Sequence, residues 1–313
     1  LVGHEYFHNW NIKRLRPVEL GPFDYETENY TRSLWVGEGF TDYYGALVVR
    51  RAGLQTDAEY LDELSNVLEQ VQMRPGRAVQ AVDMASFDTW IKQYRPDENS
   101  PNTSIDYYSK GAAIAFMLDA KIRQASGGAR SLDTAMRLAY GRYAGASGYT
   151  PEQFRQVMSE AAGTDLSAWF DEVVSSTKDL DFSEALDFYG LRFTPVDLTA
   201  ARPTMGASTR NDSGRLIVTV VRRGTPAHTA GLNVDDEILA IDDVRVRADG
   251  LVARMEQYRV GDTIRLLVAR RDRLVTFDVA LAAEPGRPWR LQPKPAADSE
   301  QKSRLAAWLG AGT

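Results

Sequence analysis

Two histidines stand four residues apart in the segment His4-Glu5-Tyr6-Phe7-His8, close to the start of the chain. On a helix, positions i and i+4 project from one face a turn apart, so both imidazoles can reach a single metal ion. Glu5 would then lie beside the ion, where its carboxylate could take a proton from a water molecule. The whole chain has only three histidines. The spacing therefore predicts a metal site, and the alternative interpretation is two surface histidines on a helix that bind nothing.

A hydrolytic zinc site needs a third protein ligand and an open position for water. Glu38 and Asp42, in the segment Leu34–Tyr44, are also four residues apart, so a ligand and a supporting carboxylate can share one helix face. Asp42 would accept the second N–H of a ligating histidine and fix its tautomer. Glu26 and Glu28 are rival third ligands. Without a metal, the segment would be an amphipathic helix that carries two solvated acids.

The two segments together resemble the gluzincin metallopeptidases, and within them most closely the glycyl aminopeptidase family, whose members carry a PDZ domain after the catalytic domain. The resemblance rests on HExxH and on the stretch W-x-x-E-G-x-T-x-Y-Y, which spans Trp35–Tyr44 here. It implies one Zn²⁺ ion held by His4, His8 and Glu38, with Glu5 as the general base. Glu38 is preferred as the third ligand because it alone stands in this context.

The related aminopeptidase N group has a shorter interval between the second histidine and the glutamate. In this chain that interval would end on Thr27, which is not a zinc ligand, so residues 16–31 are expected to form a loop inserted between the two metal helices. The chain begins at Leu1, only three residues before His4, and resembles the C-terminal part of a longer protein. The residues that would recognise the free amine of a substrate are expected upstream of it.

Composition is that of an ordinary globular protein. The 313 residues are 43% apolar and 26% charged, and they are enough for two domains. A net charge of −6 without a basic block argues against a nucleic-acid partner. The absence of cysteine leaves neither a disulfide framework nor a thiolate metal site, and it is compatible with a cytoplasmic, periplasmic or secreted protein. No apolar run is long enough for a transmembrane segment.

Residues 45–185 have helical periodicity, with capping boxes such as Thr150–Gln153. One predicted helix carries Tyr108-Ser109-Lys110-Gly111, which resembles the Y-x-K-G stretch of the gluzincin aminopeptidases. The resemblance implies that the Tyr108 hydroxyl hydrogen-bonds the oxyanion as negative charge develops, which would lower the barrier by ~3 kcal/mol. Tyr107 is interpreted as a structural neighbour, and Lys110 as a possible ion-pair partner nearby. A packed aromatic residue at a helix start is the alternative interpretation of Tyr108.

The second half of the chain has the alternating pattern of strands. Strands are predicted at 216–221, 237–241, 244–246, 263–270 and 274–281, and a short helix at 225–232 is closed by Gly231. This order resembles a bacterial-type PDZ domain, and Pro226-Ala227-x-x-Ala230-Gly231-Leu232 is its most specific mark. Residues 199–213 are polar and rich in turn formers. Asp235 and Asp243 stand where that family usually has glycine, but aspartate tolerates left-handed backbone.

A PDZ domain binds the C-terminal carboxylate of a peptide on backbone N–H groups and adds the peptide as a strand. Gly190, Leu191, Arg192 and Phe193 resemble the loop that provides these N–H groups, with Arg192 in place of a frequent glycine. The helix predicted at 251–258 would form the far wall of the groove. A packing role for this domain is the alternative to peptide capture.

The sequence thus predicts an α+β protein of three parts. Residues 1–182 are the mostly helical C-terminal half of a thermolysin-like (gluzincin) catalytic domain, 183–284 are a β-rich PDZ domain, and 285–313 are a Pro-rich tail with a short amphipathic helix. The predicted function is zinc-dependent hydrolysis of peptide substrates, and the resemblance implies removal of small N-terminal residues, Gly or Ala. The alternatives are a PDZ scaffold with an inactive peptidase part and a thermolysin-like endopeptidase.

Overall fold

A computed structural model describes residues 1–195, 201–284 and 289–310 of the chain. The chain divides into two compact units. The first comprises Leu1–Arg95, Ser104–Thr194 and Trp289–Thr313, and the second comprises Pro96–Thr103 and Pro195–Pro288. The first unit is mainly helical and the second is rich in strands, which confirms the predicted α+β class. Within the described ranges, no helix is both long enough and apolar enough to span a membrane.

Helices form almost all of the first unit. They are α1 (Val2–Phe7), a π-helix (Trp35–Gly39) that continues into α2 (Phe40–Arg51), α3 (Asp57–Gln72), α4 (Val82–Phe87), α6 (Tyr107–Ala125), α7 (Leu132–Tyr143), α8 (Pro151–Ala162), α9 (Ser167–Val173), α10 (Ser183–Phe188) and α13 (Ser299–Leu309). Two 3₁₀ turns, Val18–Leu20 and Pro75–Ala78, and two short antiparallel strands, β1 (Leu191–Phe193) and β10 (Leu291–Pro293), complete it. The apolar stripes of these helices meet in one core that includes Phe40, Phe116 and Phe154.

The helix starts follow the capping signals in the sequence. Thr150 Oγ1 accepts from Gln153 N at 3.2 Å, and the Gln153 side chain accepts from Thr150 N at 2.9 Å. Pro151 occupies the first helical position of α8, where its missing N–H costs no hydrogen bond. The helix ends at Gly163, whose φ of 75° gives the left-handed cap. Local sequence therefore determines both ends of this helix.

A buried carboxylate, Asp119, connects several elements of the first unit. Its oxygens accept from Tyr43 Oη at 2.9 Å, from Arg123 Nε at 3.1 Å and from the backbone N–H of Leu132 at 2.8 Å. Trp308 of α13 is fully buried, and its indole N–H donates to Tyr43 Oη at 2.8 Å. These contacts fix the C-terminal helix to α2 and α6 in the interior of the unit.

The boundaries of the two compact units differ from the predicted domain boundaries at residues 183 and 285. Residues 183–194 belong to the first unit because α10 and β1 pack in its helical core, where Leu191 is fully buried. Much of the predicted tail also returns to the first unit, since β10 pairs with β1 and α13 packs through Trp308. Residues 285–288 and 311–313 of that tail lie outside the described residues.

The second unit contains one larger antiparallel sheet. The strands of this unit are β2 (Pro203–Thr204), β3 (Ala207–Asp212), β4 (Arg215–Val221), β5 (Glu237–Ile241), β6 (Val244–Arg245), β7 (Thr263–Arg270), β8 (Arg273–Ala280) and β9 (Ala282–Ala283), and its helices are α5 (Ser100–Thr103), α11 (Pro226–Ala230) and α12 (Leu251–Met255). Strands β2 and β9 form a separate two-stranded sheet. The sheet order is β3-β4-β5-β7-β8, β6 pairs with β5, and β2 pairs with β9. Asp235 and Asp243 have φ of 68° and 60°, so both adopt the left-handed backbone expected at these positions.

Strand β3 was not predicted, because it lies in the polar stretch 199–213, of which 199 and 200 are outside the described residues. Its side chains are partly exposed along most of its length, so the hydrophobic alternation of a half-buried strand is missing. The segment 96–103 joins this unit through Asn102. Its side-chain amide donates to Val221 O and accepts from Arg223 N, both at 2.8 Å.

Lys110, on α6, is buried without compensation. Its side chain is 1% exposed, and among the described residues its ammonium group has neither a hydrogen-bond partner nor an ion pair. Burial lowers the pKa of Lys110 to about 8, although the more distant Asp83 and Asp179 act in the opposite direction. The expected ion-pair role of Lys110 is therefore not found, and the charged form destabilises the folded state.

We predict that Lys110→Met stabilises the protein by about 1–3 kcal/mol at pH 7, because a buried unpaired charge is replaced by an apolar side chain of similar length. The folded pKa lies below the unfolded value, so the cost in the parent is complete below pH 8 and disappears as the pH rises through the unfolded pKa of about 10.4. Urea unfolding from pH 7 to 10.5 measures this difference. A variant that is less stable than the parent at pH 7 would contradict the assignment.

Candidate metal centre

Helix α1, which contains His4 and is capped at its C-terminus by His8, places both histidines against the π-helix. His4 Nε2 lies 3.4 Å from Glu38 Oε2, and His8 Nε2 lies 3.2 Å from the same oxygen. The side chains of His4, His8 and Glu38 are 15%, 13% and 18% exposed. In the described part of the chain, these three residues form the one group of three or more His, Asp or Glu side chains whose ligand atoms all lie within 4.8 Å of one another.

The other nitrogen of each imidazole has its own partner. His4 Nδ1 donates to Asp42 Oδ1 at 2.6 Å, and His8 Nδ1 donates to the backbone carbonyl of Asn11 at 3.0 Å. Both acceptors are oxygens, so in each neutral ring the proton is on Nδ1 and the lone pair is on Nε2. The two lone pairs therefore point toward Glu38, as ligation of one cation requires. This arrangement agrees with the supporting role predicted for Asp42.

The π-helix and helix α6 approach each other unusually closely beside Glu38. A Cβ built on Gly39 would lie 2.4 Å from Gly111 Cα, and one built on Gly111 would lie 2.2 Å from Trp35 O. Only glycine allows this contact. It brings the N-terminal turn of α6, which carries Tyr108, next to the turn that carries Glu38. π-Helical turns of this kind are frequent at functional sites.

Burial dominates the electrostatics of the two carboxylates. It raises the pKa of Glu38 above its ordinary value, whereas the nearby His8 and His4 lower it. It also raises the pKa of Asp42, against the lowering effect of His4. Both acids thus lie in a partly desolvated environment in which their negative charge is destabilised unless a cation is close.

Tyr108 borders the centre. Its ring lies 6.3 Å from that of His4, with an interplanar angle of 25°, and it stacks on Tyr107 at 4.8 Å. Burial, followed by a hydrogen bond with Tyr94, raises the pKa of Tyr108 well above its usual value. The phenol therefore keeps its proton at neutral pH and remains a hydrogen-bond donor. Tyr107 is fully buried and hydrogen-bonded to Thr89 at 3.0 Å, which agrees with its expected structural role.

Glu5 is exposed on the turn of α1 between the two histidines. The rival ligands Glu26 and Glu28 are also exposed, in the loop after the cis peptide Gly21–Pro22, and they are not part of the ligand group. The geometry therefore favours Glu38 as the third ligand.

The four residues predicted to form the carboxylate loop of the PDZ domain are in a different place. Gly190, Leu191, Arg192 and Phe193 belong to the first unit, and β1 pairs with β10 there, with Leu191 opposite Pro293. Leu191 is fully buried in the helical core. The assignment of residues 190–193 to peptide binding is wrong, because their backbone belongs to the ladder of another sheet.

Asn11 was not predicted from the sequence, although it contacts both His8 and the π-helix that carries Glu38. The signal available in the sequence was a polar residue three positions after His8, at the end of the predicted helix. Such a residue is usually an exposed cap, so its type and position gave no indication of burial.

Comparison with known proteins identifies both parts of the chain. Residues 1–114 match the M61 glycyl aminopeptidase family, and residues 203–281 match the PDZ domain family. The chain is thus similar to M61 glycyl aminopeptidases over residues 1–114 and to PDZ domains over residues 203–281. The resemblance seen in the sequence is therefore confirmed. A comparison with curated proteins gave no significant match.

The crystal structure of an aminopeptidase N family protein from Idiomarina loihiensis is 30% identical and superposes with a TM-score of 0.87. The match covers 98% of this chain and 53% of the Idiomarina chain, so this chain spans about half the length of that relative. A serine endoprotease from Yersinia pestis is 21% identical, with a TM-score of 0.25, over 27% of this chain and 30% of its own. That score is too low to establish a common fold.

We predict that Glu38→Ala lowers zinc affinity by more than about 100-fold, because loss of an outer partner of a metal ligand alone costs about 10–100-fold. Zinc per chain, measured by elemental mass spectrometry after dialysis, should be close to one in the parent and much lower in the variant. Glu26→Ala and Glu28→Ala are matched controls and should keep the zinc. Equal zinc in the parent and in Glu38→Ala, with loss in either control, would move the third ligand to the loop.

Proposed function

We propose that the first unit carries the zinc site of a metallopeptidase that removes small N-terminal residues, Gly or Ala, from peptides. The main observation in its support is the convergence of His4 Nε2, His8 Nε2 and one Glu38 oxygen, each histidine oriented through its Nδ1 atom. The match of residues 1–114 to a peptidase family supports the reaction class, and the preference for Gly or Ala rests on that family resemblance alone.

The donor set fits zinc in type and in spacing. Two imidazoles and one carboxylate are the ligands of a large group of catalytic zinc sites, which keep a fourth position open. With ligand distances of about 2.0–2.2 Å, a tetrahedral ion holds its ligand atoms about 3.4 Å apart. The separations of 3.4 and 3.2 Å from Glu38 to the two histidines agree with this value.

Bound zinc would polarise a water molecule and make it nucleophilic at neutral pH. Glu5 lies on the same helix between the ligands and is exposed, so its carboxylate is available as the general base. It would accept the proton of the attacking water and pass it to the leaving amine.

Tyr108 supplies a donor for the oxygen of the scissile carbonyl. A phenol keeps its proton at neutral pH, and burial raises the pKa of Tyr108 further, so its O–H could donate to the negative charge that develops on this oxygen. Asp106 caps α6 by accepting from the backbone N–H of Tyr108 at 3.1 Å and of Ser109 at 3.2 Å, which fixes the turn that presents the hydroxyl. Asp42 contributes by holding His4 in the ligating tautomer.

We predict that Glu5→Gln and Tyr108→Phe both retain zinc but lose turnover, since neither side chain is a ligand. The expected fall in kcat is about 10²–10⁴-fold for Glu5→Gln, which loses proton transfer, and about 10²–10³-fold for Tyr108→Phe, which loses one oxyanion donor. Release of a chromogenic amine from glycyl and alanyl amides measures both. Tyr107→Phe keeps the aromatic packing of the neighbouring residue and serves as the matched control.

The two rival interpretations, an endopeptidase and an inactive scaffold, predict different results in assays of peptide hydrolysis. A thermolysin-like endopeptidase would cleave N-acetylated peptides as fast as free ones, whereas an aminopeptidase needs the free amine. In an inactive scaffold, zinc-loaded protein would hydrolyse neither, and Glu5→Gln would change nothing.

We also propose that the second unit binds the C-terminus of an extended peptide along β3. Among the described strands, β3 pairs only with β4 and is an edge of the sheet. Met205 and Gly206 form the turn immediately before it, with Gly206 at φ 73°. Ala207, Leu251 and Met255 pack on the same core, so the start of β3 and helix α12 share one apolar layer. These features suit addition of a peptide strand at this edge.

We predict that a peptide with an apolar C-terminal residue and a free carboxylate shifts the backbone amide resonances of residues 205–212 most strongly in NMR titrations of the whole chain. The same peptide with an amidated C-terminus should bind about tenfold more weakly, because a charge-assisted hydrogen bond is lost. Equal binding of both peptides, or shifts confined to β8 at the opposite edge, would exclude this groove.

A further inference from the structure

Asn11 is a buried residue that contacts both the helix of the histidine ligands and the π-helix of the glutamate ligand. It is 1% exposed. Its side-chain amide donates to Val36 O at 2.8 Å, Gly37 O at 3.2 Å and Thr41 Oγ1 at 3.2 Å. Its backbone carbonyl accepts the bond from His8 Nδ1 at 3.0 Å. One residue thus connects the ring of the second histidine with the turn on which Glu38 stands.

We propose that Asn11 is a positioning residue of the metal centre, which fixes the distance and orientation of His8 relative to Glu38. This inference rests on the proposed zinc site and goes beyond it, because Asn11 contributes no ligand atom. Two of the amide's acceptors, the carbonyls of Val36 and Gly37, directly precede Glu38 in the chain. A shift of Asn11 would therefore move the acceptor of His8 Nδ1 relative to the turn that carries the carboxylate.

The backbone after Asn11 is held in an unusual conformation. Ile12 has φ of 92°, which is rare for a β-branched residue and costs energy of its own. Its side chain lies against Gly37, where an added Cβ would come within 2.2 Å of Ile12 Cδ1. Ile12 N also donates to Leu15 O at 2.9 Å, which closes a tight loop. The strained residue and the glycine opposite it are therefore arranged so that Asn11 reaches the π-helix.

Thr41 completes the connection from the other side. Its hydroxyl donates to Gly37 O at 2.6 Å and accepts from the Asn11 amide, which also donates to Gly37 O, so these three polar groups are bonded to one another in the protein interior. Phe40 N–H also bonds Val36 O, so the helix itself does not depend on Asn11. Removal of the amide should accordingly loosen the link between the two ligand segments without unfolding α2.

The test compares zinc affinity in Asn11→Leu and Asn9→Leu, two substitutions of the same type two positions apart. Leucine is close to asparagine in size but cannot donate. The side-chain amide of Asn9 donates to Tyr6 O of α1 at 2.8 Å and has no hydrogen bond to the π-helix among the described residues, so its replacement leaves the π-helix untouched. We expect about 10–100-fold weaker zinc binding in Asn11→Leu, as for other outer partners of metal ligands, and less than about twofold change in Asn9→Leu. Chelator competition measures both constants.

A spectroscopic readout separates positioning from general destabilisation. The visible absorption bands of the Co²⁺-substituted protein report coordination geometry, and they should change in Asn11→Leu but not in Asn9→Leu. Thr41→Val removes the hydroxyl that joins Asn11 to Gly37 and keeps the side-chain shape. Thr41→Val should cause a smaller loss of zinc affinity than Asn11→Leu and a spectral change in the same direction. It therefore tests the positioning role if Asn11→Leu does not fold.

The result that overturns the inference is parent-like zinc affinity and an unchanged Co²⁺ spectrum in Asn11→Leu, or in Thr41→Val if only that variant folds. The variant His8→Ala distinguishes failure of the positioning role from failure of the zinc site itself. If His8→Ala loses zinc while the Asn11 and Thr41 variants keep it, the site stands and the positioning role is refuted. If His8→Ala binds zinc as tightly as the parent, the proposed site is wrong and the positioning role fails with it.

Discussion

Two hydrogen bonds orient the histidines of the candidate metal centre, one from His4 Nδ1 to Asp42 and one from His8 Nδ1 to the carbonyl of Asn11. A neutral imidazole can carry its proton on either nitrogen, and only one of the two tautomers can ligate through Nε2. Both acceptors select that tautomer and also fix the rotation of the ring. The segments that hold Asp42 and Asn11 are therefore as important for the site as the helix that carries the ligands.

The burial of Glu38 is the second constraint. Its carboxylate lies between two imidazoles that are neutral when each carries only its Nδ1 proton, and burial raises its pKa. Desolvation of a carboxylate is costly unless a cation or strong donors compensate for it. A divalent cation in this position would offset the cost, and both Nε2 lone pairs would gain a partner at the same time. Electrostatics and tautomer selection thus favour the same occupant.

Sequence alone predicted those parts of the site that depend on local spacing. His4 with His8 and Glu38 with Asp42 are i, i+4 pairs, so helix geometry places each pair on one face before any tertiary contact is known. The capping boxes fixed α3 and α8 in the same way. Asn11 could not be found like this, because its role depends on the contact between the turn at Ile12 and Gly37, which are 25 positions apart.

The error at residues 190–193 has the same origin. The loop pattern in the sequence did not reveal that β1 pairs with β10, about 100 residues later. For such a short segment, packing in the hydrophobic core determines which strand it pairs with, and Leu191 is buried in the core of the first unit. Strand β3 was overlooked for the opposite reason, since an edge strand with partly exposed side chains does not show the alternation that indicates a strand.

After residue 288 the chain returns to the first unit, so the segments of the first unit lie on both sides of the PDZ domain in the sequence. The first unit is incomplete until β10 has paired with β1 and Trp308 has bonded Tyr43, 265 positions earlier. Tyr43 adjoins Asp42 on α2, and its hydroxyl also donates to the buried Asp119. The PDZ domain is therefore inserted into the sequence of the helical unit and is not appended to its end. The last helix of the chain supports the same element that orients His4.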